Sequence, residues 1–252
     1  MELIEIDNSP FGKVSLTLCP HRNTDTLRLY IGEFLGTPTP PEELRDLVDG
    51  FVTFPGYGEN PLPSKVLGES LTWQNYGTEL SVLIAESFSQ PVGLLGNSMG
   101  AMVAVCTAIE RSSVIDHLVL YRIPTFGYLR TDMRGKYAHV AESITDEEAF
   151  RTFIQKVQGK VDDTVMSVLQ SLDWQDAQKL YLGAAMSDLD LDNIDSLVTP
   201  AYFLKDRIEL DSVHPVEAQN YLLSLMTKVR TKKTVQLSDL QETAGTWVQL
   251  DR

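Results

Sequence analysis

Between Val92 and Cys106 the chain reads V-G-L-L-G-N-S-M-G-A-M-V-A-V-C, an apolar run, a tight turn of small residues around Ser98, and a second apolar run. The first run has the length and continuity of a strand buried on both faces, and the second suits a buried helix beginning near Met99. A parallel sheet covered by helices accommodates that pair of neighbours. The glycines at 96 and 100 fit a turn that other segments approach closely, because a side chain there would collide with them.

The rest of the chain repeats the theme. Glu2–Ile6, Lys13–Pro20 and Thr26–Ile31 read as strands separated by turn residues. A proline-rich loop follows Gly32, then a helix over Glu42–Val48 and a short buried strand over Gly50–Phe54. From Leu71 to Phe88 apolar residues recur at helical spacing. His117–Arg122 is a further strand. Between 127 and 198 only helical patterns occur, one of them opened by Thr145 with Glu148 three positions on, the spacing of a capping box. Alternation resumes with a strand at Thr199–Leu204, a helix from Pro215, whose ring suits a first helical position, a strand at Thr234–Leu237 and a helix from Ser238. The expected fold is therefore α/β, a mostly parallel central sheet flanked by helices, with residues 1–126 and 199–252 as the core and 127–198 as an inserted helical cap.

Ser98 lies at the centre of G-x-S-x-G, in the strand-turn-helix setting that exposes a serine on a sharp turn. On this motif the chain resembles the α/β-hydrolase fold superfamily over essentially its whole length. Phe51–Pro61, F-V-T-F-P-G-Y-G-E-N-P, resembles the exit of that fold's fourth strand. Pro200–Glu217 resembles the seventh-strand exit, where an aspartate precedes a proline by four residues, which points to Asp211 as the acid. Leu120–Arg130 and Val235–Trp247 resemble a bacterial branch carrying Pro-Thr-x-x-x-x-Arg and Asp-x-x-His-Pro. The resemblance implies a nucleophilic Ser98 and an oxyanion hole, two donors being needed where charge develops on the carbonyl oxygen. One is the backbone N–H of Met99 and the other that of Glu33 or Phe34, after Ile31-Gly32, where the superfamily has His-Gly. Phe34, Tyr57 and Arg122 are the expected substrate-binding residues.

The superfamily's histidine after the last strand is missing, for Val235–Gly245 contains none. A serine hydroxyl without a base is a poor nucleophile. Of the four histidines, His117 opens its strand and His21 follows a strand expected to run antiparallel, so both belong at the edge away from the site, as surface or turn residues. His139 falls in the cap, where it faces either the cleft or solvent. His214, in the seventh-strand exit loop three residues after Asp211, is the candidate base, against the alternative of a solvent-facing imidazole in a turn. Asp211 is close in sequence to His214, so Glu209, Asp239 and Glu242 are further candidates for its partner, and a carboxylate acting through water is an alternative base.

Other features are open to blander readings. Arg122 and Arg130 bracket the sixth-strand exit and either bind a substrate carboxylate or pair with the chain's own acids. Trp73, Tyr76, Trp174, Tyr181 and Trp247 are expected to pack on helix faces. The acidic run Ser187–Asp195 lacks the glycine and terminal glutamate of a calcium loop and reads as a linker. With 35 acidic residues against 21 lysines and arginines and a net charge of −14, nucleic acid and anionic lipid surfaces are disfavoured partners and a small molecule is favoured. The two cysteines provide neither a disulfide framework nor metal-ligand spacing, and no metal or cofactor is expected. The acidic start lacks a signal-peptide pattern, so a cytoplasmic location without a membrane span is expected, and a homodimer is compatible with these features. The function expected is hydrolysis of a small ester, thioester, lactone or amide through an acyl-Ser98 intermediate. A ligand-binding protein without catalysis, and a lyase or cyclase that never acylates the serine, are the alternatives.

Overall fold

The computed structural model describes residues 2–6, 11–19, 26–58, 60–205 and 213–238. Among the described residues, eight strands form one sheet in the order β1-β2-β4-β3-β5-β6-β7-β8. They are β1 Glu2–Ile6, β2 Val14–Leu18, β3 Arg28–Ile31, β4 Gly50–Thr53, β5 Val92–Asn97, β6 Ile115–Tyr121, β7 Ala201–Lys205 and β8 Lys232–Gln236. Only β2 runs against its neighbours, antiparallel to β1 and β4, and β3 through β8 pair in parallel.

Continuous apolar strands follow from burial on both faces. Leu29, Ile31, Leu94, Leu118, Leu120 and Phe203 point into a large core. Their immediate neighbours Tyr30, Leu95, Val119, Tyr202 and Leu204 point into a smaller one on the other side. This is the two-residue period of a pleated strand with no solvent face. The large core receives α2 (Trp73–Ser87), α3 (Met99–Glu110) and α8 (Val216–Leu225), and the smaller one receives Leu44 of α1 (Glu42–Arg45). Helix α2 lies against α3, where Gly77 permits contact: a Cβ there would come 2.6 Å from the Cys106 Cβ. The start of β3 is fastened to the turn before β4 by a buried pair, with Arg28 Nε and Nη2 donating to Asp49 at 2.9 and 3.0 Å.

Between β6 and β7 lie a 3₁₀ turn (Gly127–Arg130) and the helices α4 (Thr131–Ser143), α5 (Glu147–Val157), α6 (Asp163–Ser171) and α7 (Trp174–Met186). Helix α4 packs on α7, and Phe34 at the β3 exit meets Tyr137 and Tyr181 edge-on at 5.5 and 5.4 Å. The inserted helices thus lie over the carboxyl end of β3.

Several expectations need correction. Helix α1 stops at Arg45 rather than Val48, because Leu47 and Val48 turn into the smaller core. Asp146, not Thr145, caps α5: its carboxylate accepts from the Ala149 N–H at 2.8 Å, and Thr145 sits one residue too early. Pro215 is the residue before α8, with extended backbone, so the helix starts at Val216. His117 is not a surface residue but 4% exposed. Its Nδ1 lies 2.7 Å from the Asp116 carboxylate, and its ring fills the space left by Gly93, where a Cβ would come 2.6 Å from Nε2. His21, Glu209, Asp211, Asp239, Glu242 and Trp247 lie outside the described residues, as does the chain after Ser238.

Candidate active site

Ser98 stands between the last residue of β5 and the first of α3, with φ 55° and ψ −115°. That positive φ is a costly backbone region for a residue with a Cβ and persists only where its surroundings impose it. Here they do. The Ser98 N–H donates to the Tyr121 carbonyl at 2.9 Å, and its own carbonyl accepts from Ala101 at 3.0 Å. A Cβ on Gly96 would lie 2.6 Å from the Ala101 Cα, and one on Gly100 would lie 2.6 Å from the Ile31 carbonyl carbon and 2.7 Å from the Gly32 oxygen. The second set of contacts puts the β3 exit directly against the start of α3.

His214 arrives from the β7 side. Its loop is tied to the β6 exit by the Thr125 N–H, which donates to the Val213 carbonyl at 2.9 Å. The imidazole Nε2 lies 2.8 Å from the Ser98 Oγ, and both residues are 7% exposed. This is hydrogen-bonding distance in a site nearly closed to water.

Met99 is the first residue of α3, so its N–H has no carbonyl one turn earlier to bond and points out of the helix N-terminus. Its sulfur accepts from the Tyr57 hydroxyl at 3.4 Å. Burial pushes the Tyr57 phenol well above its ordinary pKa, so it is a neutral donor. Glu33 and Arg122 form an ion pair at 3.5 Å. Because β5 lies between β3 and β6, this pair bridges the strand that carries Ser98.

A cavity of about 20 Å³ opens above Ser98. That is close to the least volume that holds one water molecule. Of the expected substrate-binding residues, Phe34 and Tyr57 line it, whereas Arg122 does not and turns instead to Glu33. Arg130 does line it, and so do Trp73 and Tyr76, which the sequence assigned to helix packing. One signal was available for those two. A helix that follows a parallel strand starts at the strands' carboxyl ends, so the first turn of α2 is on the site's side of the sheet. His139 is exposed and lies away from this cavity, in a groove with residues of α5.

Arg130 is 2% exposed and is held by backbone carbonyls. Nε donates to Ser187 at 2.8 Å, Nη2 to Ala184 at 2.6 Å and Nη1 to Thr125 at 3.1 Å. Its guanidinium carbon lies 4.1 Å from the centre of the Trp73 ring. Burial lowers its pKa to about 10, which leaves it protonated at neutral pH. No group of three or more metal-ligating side chains occurs among the described residues, and no described helix is long and apolar enough to cross a membrane.

No protein-family model matches the chain, and no curated protein matches its sequence. Solved structures do match. A hydrolase from Pseudomonas aeruginosa PA01 is similar at 14% identity and a TM-score of 0.68, over 99% of this chain and 95% of that one. A thermophilic esterase from Thermogutta terrifontis is similar at 17% identity and a TM-score of 0.67, over 96% and 94%. MenH from S. aureus is similar at 14% identity and a TM-score of 0.63, over 94% of each chain. Sheet order, inserted helices and near-complete coverage in these comparisons agree: the chain has the α/β-hydrolase fold.

Proposed function

We propose that the protein is a serine hydrolase acting on a small acyl substrate, an ester, thioester, lactone or amide, with Ser98 as nucleophile and His214 as base. The observation that carries this reading is the 2.8 Å contact between Ser98 Oγ and His214 Nε2. A strained, buried serine touching an imidazole is the arrangement that activates a hydroxyl.

In the first half-reaction the Ser98 oxygen bonds to the substrate carbonyl carbon while its proton passes to Nε2. The carbonyl oxygen takes up the negative charge and is met by the N–H of Met99 and a second N–H from Glu33 or Phe34. Collapse expels the leaving group, which receives the proton from His214, and leaves an acyl-Ser98 ester. Water then attacks that ester, with His214 taking a proton from water and returning it to the Ser98 oxygen. The cavity has room for about one water, so the Phe34, Tyr137 and Leu180 walls part to admit an acyl group.

Intact-mass measurement after exposure to a fluorophosphonate between pH 6 and 9 tests the assignment. The parent should gain one adduct and Ser98→Ala none. His214→Ala should label about 10²- to 10⁴-fold more slowly, the contribution of a positioned base. Undiminished labelling of His214→Ala would remove that residue from the mechanism. A folded parent that never labels would move the assignment to a ligand-binding protein or an enzyme that does not acylate its serine.

A further inference from the structure

The cavity above Ser98 carries a charge that the reaction with an acyl group does not require. Arg130 reaches it from the 3₁₀ turn after β6, in a chain with 14 more acids than lysines and arginines. No aspartate or glutamate lines that cavity among the described residues, and none lies within ion-pair distance of Arg130. The acid with the strongest reach, Asp188, is already engaged by the N–H groups of Gly127 and Leu189 and by Arg134. The other charged neighbour is Arg134 itself, of the same sign.

A guanidinium carries five N–H groups, two on each terminal nitrogen. The three bonds to Ser187, Ala184 and Thr125 use one N–H on each nitrogen, so one remains on Nη1 and one on Nη2. Two of those carbonyls lie at the carboxyl end of α7, and the Trp73 ring covers one face of the group. The guanidinium is thereby locked in place with two donors unspent. The Tyr76 hydroxyl, also on the cavity wall and buried, has no hydrogen-bond partner among the described residues. Buried polar groups left so are commonly completed by a ligand or water.

We propose that this end of the cavity binds a carboxylate of the substrate, so that the enzyme acts on small acyl compounds that also carry a free acid. The carboxylate lies end-on against Nη1 and Nη2 of Arg130, each oxygen accepting one N–H, and one of its oxygens also accepts the Tyr76 hydroxyl proton. Charge-assisted bonds of this forked kind are strong and specific for planar anions. The substrate class rests on the acyl-Ser98 reading, but the anion site does not.

The test separates the two. On Ser98→Ala protein, which cannot turn over, glutarate is compared with the neutral isostere glutaramide by calorimetry. Glutarate should bind about 10² times more tightly or better, as expected for paired charge-assisted bonds. On the parent, monomethyl glutarate should be hydrolysed with kcat/KM about 10² above that of dimethyl glutarate. Arg130→Lys keeps the charge but loses the fork, and should cut both preferences to within about threefold. Tyr76→Phe, which removes no existing bond, should weaken glutarate by about fivefold or more. Equal binding of glutarate and glutaramide would overturn the proposal. So would an Arg130→Lys protein that is less active on both esters with their ratio intact, the sign of a purely structural arginine. If no ester is hydrolysed while glutarate still binds selectively, the anion site stands and the hydrolase reading falls.

Discussion

Gly100 and Gly135 are both helical, and replacing each with alanine should change stability in opposite directions. Gly100 is the second residue of α3, and its missing Cβ is what lets the β3 exit pass against the turn at Ser98. An added Cβ would collide first with the Ile31 carbonyl oxygen, and even the Ile31 carbonyl carbon and the Gly32 oxygen would lie at 2.6 and 2.7 Å where ordinary contact begins at 3.4 Å, about 0.7–0.8 Å too close. Both colliding groups are backbone, so no side chain can swing aside. Overpacking by one carbon costs about 1–3 kcal/mol, and a rigid neighbour places this site near 3. Alanine recovers about 1 kcal/mol of helix propensity over glycine. The net loss is ~2 kcal/mol, or about 4–8 °C in Tm for a chain of this length. Gly135, in the middle of α4, has nothing within 4 Å of the place a methyl would occupy, so only the propensity acts. Gly135→Ala should gain ~1 kcal/mol, about 2–4 °C. Thermal unfolding followed by circular dichroism gives both numbers, and fluorophosphonate labelling adds a functional one. A shift of about 1 Å in the loop of the proposed oxyanion hole should slow Gly100→Ala labelling ~10²-fold with Ser98 and His214 unaltered. A Gly100→Ala protein as stable as the parent, or a Gly135→Ala protein destabilised to the same degree, would refute the steric account.

Three further outcomes are expected. Cys19 is exposed whereas burial pushes the Cys106 thiol up to about 12, so DTNB near neutral pH should titrate one thiol in the native protein and both in guanidinium; two fast thiols without denaturant would contradict the packing of α3 on α2. Asp49→Asn leaves the buried Arg28 guanidinium facing a neutral amide and should cost about 3–5 kcal/mol, read as a lower urea midpoint at unchanged m. Asp116 is held below the usual carboxylate range chiefly by its hydrogen bond to His117. A carboxylate with a depressed folded pKa stabilises the fold above its unfolded value of about 3.9, and that stabilisation is lost as pH falls through the lower folded value. The stability gap between parent and Asp116→Asn should therefore be widest above about pH 5 and close in stronger acid.

Alternation of apolar strands with helices was legible because the central parallel strands β3, β5, β6 and β7 are buried on two faces and read as short apolar runs between helical patterns. The turn at Ser98 was legible because small residues flank the serine at fixed spacing; Gly96 answers to Gly100 and Ala101 within the turn itself, whereas the contact that constrains Gly100, with the Ile31 and Gly32 backbone, lies far away in sequence. What escaped depended on distances that sequence does not encode. Arg122 and Arg130 look equivalent in Leu120–Arg130, yet Arg122 takes a positive φ of 50° and turns toward Glu33, while Arg130, one 3₁₀ turn later, points into the cavity. His117 looked like a strand-edge residue until Gly93 on the neighbouring strand supplied room for its ring. Thr145 and Asp146 are both good caps, and only the first helical N–H groups decide between them.

The position of the proposed base follows a different logic from that of the serine. Ser98 is fixed by its own strand, by the Tyr121 carbonyl on one neighbour and by the Ile31 and Gly32 backbone on the other, so it has one place in the fold. A base needs only to bring one nitrogen within about 3 Å of the hydroxyl from the carboxyl-end side of the sheet. Several loops end there, and the one after β7 has the advantage of being pinned, through Val213, to Thr125 at the exit of the adjacent strand β6. Thr125 also gives its carbonyl to Arg130, so one residue's N–H steadies the loop of the proposed base and its C=O steadies the proposed anion site. A base proposed on the loop after β7 rather than after β8 therefore asks for no change in the turn that holds Ser98, only for a loop that the β6 exit can hold. On the proposed mechanism, the loop after β7 supplies the base while the β6 exit holds it in place.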